Sequence, residues 1–240
     1  MPPVDHFPST HATWIDAQLT VIDEAGDGAT AANAAFRSLA RHLMDRYREP
    51  LRAYVLGSAL REAGDPDDLV AGFFAHFLAA PNSLLRWRSS GMQLRRWLMN
   101  GMAFHCRTLR SDAARYRERG SLDALSAAGA EPAHESGGAQ AFERAWALQL
   151  VNEAHRATHA ECTSRGLLDE YEVFRLHVSE GLPYVVIGPR TGRSPQQCAN
   201  ATRRIGGIFR EALHGLLRGE GVSPDELPAQ IQEIQRLLEP

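Results

Sequence analysis

Apolar residues in this chain recur at intervals of three and four almost from end to end, and no stretch alternates β-branched residues for long enough to make a strand. That interval is the turn of an α-helix, so the sequence predicts an all-α fold. Phe36, Leu39, Leu43, Met44, Tyr47, Leu51, Tyr54, Val55 and Leu60 mark one helical face, which Pro50 is expected to interrupt or bend because it has no N–H. Asp65-Pro66-Asp67-Asp68 has the order cap, proline, acids that suits a helix start, and Leu69, Val70, Phe73, Phe74, Phe77 and Leu78 continue it. A third helix is expected from about Met92 to Glu118. Further helices are expected from Ala141 towards Ser164, from about Leu168 to Glu180, over Pro183–Pro189 and over Ser194–Arg218.

Residues 120–140 are poor in large apolar side chains and rich in Gly, Ala and Ser, which reads as a flexible linker. The expected organisation is two small helical domains: an acidic extension over 1–34, a first domain over 35–119, the linker over 120–140, a second domain over 141–219 and an acidic C-terminal helix over 220–240. A length of 240 residues with 44% hydrophobic content suits two modest cores.

The net charge of −3 argues at first against a polyanionic partner, but the charge is segregated. Residues 1–34 hold Asp5, Asp16, Asp23, Glu24 and Asp27 and no Lys or Arg, whereas nine arginines between Arg86 and Arg119 face only Asp112 and Glu118. A second basic segment holds Arg190, Arg193, Arg203, Arg204, Arg210 and Arg218 against Glu211. Two basic segments framed by acidic ends predict two polyanion-facing surfaces. All 26 basic residues are arginine, which genome composition explains as well as function does.

Other classes of function lack their signatures. No run approaches the roughly 18 apolar residues of a membrane span, and MPPVDHFPSTHATWID has no basic or apolar region of a secretory signal. Three scattered cysteines in no CxxC spacing predict neither disulfides nor a thiolate metal site, and a reducing cytoplasm is the expected compartment. His155, His159 and Cys162 share a helix face but lack a fourth ligand, so a surface cluster is expected there and no metal. Asp65, Asp67 and Asp68 read as a capping cluster rather than a catalytic pair. With no phosphate-cradling loop and no nucleophile elbow, neither a catalytic residue nor a cofactor is expected, and the chain does not read as an enzyme.

The segment Glu180–Leu213 is the most informative. A short apolar helix with Tyr184, Val186 and Ile187 meets a turn at Thr191-Gly192, then Ser194-Pro195 opens a longer polar helix. Helix, glycine turn and capped second helix make a helix-turn-helix layout, whose second helix enters the major groove. Gln196, Gln197 and Asn200 fall in its first turns, where Gln and Asn bond adenine bidentately, while Arg203 and Arg204 lie further on towards the phosphates; Arg193 and Ser194 precede them.

Val173-Phe174-Arg175-Leu176-His177, Glu180-Gly181-Leu182-Pro183-Tyr184, Ile187 and Gly192-Arg193-Ser194 resemble region 4 of bacterial sigma-70 factors. Upstream, Tyr47-Arg48-Glu49-Pro50-Leu51, Gly64-Asp65-Pro66-Asp67-Asp68-Leu69, Phe73-Phe74 and Leu94-Arg95-Arg96-Trp97-Leu98 resemble region 2 of the same family. Order and spacing are similar to the extracytoplasmic-function subgroup, and Phe73-Phe74 with Phe142–Leu148 to a branch abundant in planctomycete-like genomes. The resemblance covers roughly residues 35–218.

It implies core RNA polymerase and promoter DNA as partners, with an anti-sigma factor as a candidate third and no membrane. The first domain would dock on polymerase through Asp67, Asp68, Leu69, Phe73 and Phe74. It would engage the minus-10 element through Arg107, Arg110, Arg115, Tyr116 and Arg117, and the second domain would read the minus-35 duplex. Among the aromatics of the basic segment, Trp97 and Phe104 are expected in the core, and Trp87 and Tyr116 outward. Five positions depart from the family: Ala71-Gly72 replaces a Gln-Glu pair, Val186 replaces an acid, and Gly188-Pro189 replaces two small residues, with Pro189 expected to shorten its helix. The minus-10 helix also lacks a clean match to the family's Asn or Asp positions around Phe104–Thr108.

Two other functions fit the same features: a stand-alone helix-turn-helix regulator, and an all-helical interaction protein whose basic segments are solvated. The tail, expected helical from Pro224 to Leu238, carries Leu227, Ile231, Ile234, Leu237 and Leu238 on one stripe beside acids. It is expected to pack on one domain, either restraining DNA access or serving as a core helix.

Overall fold

The computed structural model describes residues 11–25, 30–79, 82–90, 92–118, 136–220 and 222–239. Among these residues there is no strand. The helices are α1 (His11–Ala25), α2 (Thr30–Leu56), α3 (Pro66–Ala79), α4 (Asn82–Ser90), α5 (Leu94–Glu118), α6 (Ser136–Ser164), α7 (Leu168–Val178), α8 (Tyr184–Thr191), α9 (Pro195–Gly219) and α10 (Leu227–Leu238), with a 3-10 turn at Ala59–Ala63. They fall into two compact units, one formed by Ala12–Ala147 with Ile231–Pro240, the other by Leu148–Gln230.

In the first unit Leu39, Leu43, Tyr47, Leu51 and Val55 form a fully buried stripe along α2, on which α3 and α5 pack. Pro50 lies inside α2 and is buried, and the helix runs on to Leu56. The expected interruption is absent because burial of the turns around the ring outweighs the one hydrogen bond that proline cannot donate. The start of α3 is as expected: Asp65 accepts from the N–H groups of Asp67 (2.9 Å) and Asp68 (3.3 Å). Two helices go beyond the sequence reading. The acidic extension contains α1, which buries Ile15 and Leu19, and α4 fills the segment before α5.

The linker reading is corrected at its end. Residues 119–135 lie outside the described residues, but Ser136–Gln140 opens α6. Gly137 and Gly138, which resembled linker glycines, are packing glycines. A Cβ on Gly138 would lie 2.8 Å from Ser58 Cβ and 3.0 Å from the Tyr54 carbonyl oxygen, and one on Gly57 would lie 3.0 Å from Ala141 Cβ. The end of α2 and the start of α6 therefore meet backbone to backbone. Glu143 and Trp146 on α6 then capture Arg95, which pairs with the carboxylate at 3.4 Å and lies 4.3 Å over the indole.

In the second unit α7, α8 and α9 pack pairwise around Val173, Leu176, Ile187, Cys198 and Ala201. A second cluster joins Cys162, Leu167, Phe174 and Ile205 to Tyr171, Ile208 and Phe209. Of the expected surface cluster at His155, His159 and Cys162, His159 is exposed, while Cys162 and the half-buried His155 are part of this packing. Cys162 is buried, His155 lies 4.7 Å from the Phe209 ring and 5.9 Å from that of Phe174, and His159 meets the Tyr171 ring edge-on at 5.1 Å. The helix of the tail starts at Leu227, later than expected, because the Glu226 carboxylate turns back to accept from the Ser223 N–H (3.1 Å) and hydroxyl (2.9 Å). Its later part, Ile231–Pro240, belongs to the first unit, with Ile234 and Leu237 buried, Glu233 accepting from Arg236 at 2.8 Å, and Arg95 close enough to bias the same carboxylate.

Gly138→Val should destabilise the first unit by roughly 1–3 kcal/mol, because the added atoms have backbone to displace. Gly207→Ala on α9, where a Cβ would meet nothing within 4 Å, should stabilise by about 1 kcal/mol. Urea denaturation of the two variants checks both signs.

Burial holds the pKa of His155 below its usual value, and burial followed by the neighbouring His76 does the same for His105. Each ring is then less basic folded than unfolded, so the unfolded chain binds more protons on acidification. Stability should be complete above about pH 6.5 and decline as the pH falls below it. Urea midpoints between about pH 7.5 and about pH 5.5 measure this slope, which His155→Phe should flatten.

Candidate nucleic-acid interface

The second unit builds its turn from backbone geometry. After α7, Gly181 takes a left-handed conformation (φ 67°), and the Leu182 N–H reaches back to the Leu176 carbonyl at 3.1 Å, closing the helix end. His177 Nδ1 bonds the Leu182 carbonyl at 2.9 Å and its ring lies 4.2 Å from that of Tyr184, setting the start of α8. Arg175 grips Glu172 (2.8 and 2.7 Å) and Glu180 (2.6 Å), which holds the Glu172 carboxyl below its usual pKa.

At the other end of α8, Gly192 is left-handed (φ 66°, ψ 27°) and the Arg193 N–H donates to the Gly188 carbonyl at 3.0 Å. The chain passes so close that a Cβ on Gly188 would lie 2.6 Å from the Arg193 carbonyl oxygen. Glycine is required at position 188. Pro189 does not shorten α8, which continues to Thr191, whose hydroxyl donates to the Ile187 carbonyl at 3.0 Å. Ser194 then caps α9: its hydroxyl accepts from the Gln197 N–H (3.2 Å) while Gln197 Oε1 accepts from the Ser194 N–H (2.8 Å).

Cys198, Ala201 and Ile205 turn inward, so Gln196, Asn200 and Arg203 share the opposite, exposed face of α9. They are linked: Gln196 Nε2 donates to Asn200 Oδ1 at 3.3 Å and Arg203 Nη1 to the same oxygen at 3.2 Å. The other expected contacts have duties within the unit. Gln197 is held in the cap, Arg204 pairs with Glu170 on α7 at 3.1 Å, and Arg193 is half-buried over the turn. Arg190, Arg210 and Arg218 are exposed on the same unit.

In the first unit, Leu69, Phe73 and Phe74 are buried and anchor α3. Asp67 is held by Arg52 (3.1 Å) and Arg48 (3.3 Å), which keep its carboxyl below the ordinary pKa. Asp68, Ala71, Ala75 and His76 are exposed on α3, and Ala71 and Ala75 line a groove of about 690 Å³ with Met44, Phe74 and Leu78. Gly72 packs against His105, whose Nε2 would lie 3.3 Å from a Cβ there.

Of the minus-10 candidates, Arg107 is exposed and Arg110 pairs with Glu62 at 3.6 Å. Arg115, Tyr116 and Arg117 lie on α5, but their side chains fall outside the described residues. Phe104 was expected in the core and is instead 70% exposed, because the inward stripe of α5 is Leu94, Leu98, Met102 and Cys106. Trp97 is half-buried beside it, and Trp87, expected outward, is half-buried with its indole N–H on the Met92 carbonyl at 2.8 Å. Phe104 and Trp97 line a pocket of about 390 Å³ with Phe73, Phe77, Asn100 and Arg86, walled on one side by the facing rings of His76 and His105. Sequence reasoning missed Asn100, Arg86 and His76 as members of this site; the one available signal was that Phe104 is out of step with the four-residue spacing from Leu94 to Cys106. An aromatic pocket rimmed by arginine and amide suits an unstacked base.

Gly188→Ala should open the turn and speed amide hydrogen exchange across α8 and the start of α9. Ser194→Ala should cost about 1 kcal/mol, confined to the first turn of α9. Protein-family models, curated proteins and solved structures contain no match to this chain.

Proposed function

We propose that the chain is a non-enzymatic RNA polymerase initiation factor of the extracytoplasmic-function sigma-70 type, acting in the cytoplasm without a cofactor. Its second unit reads the minus-35 element as duplex, and its first unit docks on core polymerase and captures the minus-10 strand. The observation that carries this reading is the capped, exposed polar face of α9, set at a tight glycine turn against α8. The aromatic pocket, with exposed Arg86 in its lining, supports the minus-10 role, since single strands are held by aromatic stacking next to cationic groups. Two helical domains joined by a linker, and control by an anti-sigma factor, belong to the same proposal.

One observation favours the stand-alone regulator as a second reading. Ala71 and Gly72 stand on α3 where the family has a Gln-Glu pair, and Leu69, Phe73 and Phe74 are turned inward. Co-elution of the full chain with core polymerase, followed by run-off transcription from a selected promoter, separates the two. The expected result is a stable complex and a specific transcript. Phe104→Ala should lower permanganate-detected strand opening about tenfold, the loss of one base–aromatic stack, with polymerase binding unchanged. Sequence-specific duplex binding without polymerase binding would leave the regulator. Weak, salt-insensitive binding to any DNA would leave an interaction protein.

A further inference from the structure

Asn200 stands at the middle of the exposed face of α9, and its amide is held from both sides. Gln196 donates to its carbonyl oxygen at 3.3 Å and Arg203 donates to the same oxygen at 3.2 Å. A guanidinium carries donors only, so the bond from Arg203 fixes which end of the amide is oxygen. That oxygen has two lone pairs, and both are engaged. The Nδ2 amino group keeps two hydrogens for a ligand.

The usual pairing of asparagine with adenine needs both ends of the amide, the oxygen accepting from N6 and the amino group donating to N7. Here the accepting end is occupied by the protein. Guanine presents N7 and O6 side by side on its major-groove edge, two acceptors and no donor. Adenine sets a donor next to its acceptor, which meets a donor-only group unfavourably. We infer that Asn200, held by Gln196 and Arg203, selects guanine rather than adenine in the duplex. The inference rests on the major-groove reading of α9 proposed above. It makes Arg203 a positioning residue for Asn200 in addition to any phosphate it touches.

The test uses the full-length protein, first with a library of random duplexes and then with single-pair variants of the selected site. One pair should prefer guanine over adenine by about tenfold, and 7-deazaguanine, which lacks N7, should lose that preference. Asn200→Asp keeps an oxygen for Gln196 and Arg203 but turns the outward amino group into an acceptor. Preference at the same pair should then move to cytosine, whose N4 amino group donates. Arg203→Ala frees a lone pair on Asn200, so adenine should gain on guanine at that pair while affinity for all duplexes falls. Circular dichroism of both variants controls for folding. A wild-type preference for adenine at the pair that Asn200→Asp alters would overturn the inference and leave α9 as a DNA reader. An unchanged base ratio in Arg203→Ala would overturn the positioning role. Absence of any duplex preference in the wild type would overturn both the inference and the reading beneath it.

Discussion

The carbonyl oxygen of Arg193 occupies the space that a side chain on residue 188 would need, at 2.6 Å from the position of its Cβ. Much of the second unit depends on that contact. It lets α8 reverse into α9 through a single left-handed residue, Gly192, and it brings Ser194 to the point where its hydroxyl and the Gln197 amide close the first turn of α9. With the turn fixed, Ile187, Cys198 and Ala201 meet Val173 and Leu176 in one apolar cluster, and the opposite face of α9 is left to solvent. Gln196, Asn200 and Arg203 occupy that face because the three inward positions are already committed to the core.

Close backbone approach also organises the first unit. Gly57, Gly137 and Gly138 let α2 and α6 touch without side chains between them, and Glu143 and Trp146 then hold Arg95. The side chain of Arg95 is 13% exposed, so it contributes little to any polyanion-facing surface. Arg110 is engaged by Glu62, and in the second unit Arg204 by Glu170. The charge excess counted along the chain is thus larger than the charge offered to a partner. The cations left exposed are fewer, among them Arg96 and Arg107 on α5 and Arg190 and Arg210 in the second unit.

The histidines follow the same logic of shared packing. His155 fills space between Phe174 and Phe209, and His105 lies over Gly72 with a buried ring nitrogen that has no protein partner. Among the described residues no carboxylate offsets their burial, which disfavours the charged form in both. Spacing puts His155, His159 and Cys162 on one helix face and predicts a surface cluster, but neighbours on α7 and α9 turn His155 and Cys162 into packing surface.

The sequence by itself determined the helical class, the start of α3 at Asp65-Pro66 and the turn of the second unit. Each is written in local chemistry: a three-to-four apolar period, a cap followed by proline, a glycine able to take positive φ. Tertiary structure decided which side of each residue faces outward. Phe104 has the composition of a core residue and sits outside, because Leu98, Met102 and Cys106 already fill the inward stripe of α5. Leu69, Phe73 and Phe74 matched a docking helix and are buried, because α2 and α5 cover that face. Gly137 and Gly138 have the composition of a linker and serve a helix crossing, and Gln197 has the chemistry of a base reader and caps its own helix. In every case the deciding partner lies on another element or in the relative rotation of two helices. That information is absent from any local pattern, since the same side chain packs, caps or reads according to what the fold sets against it.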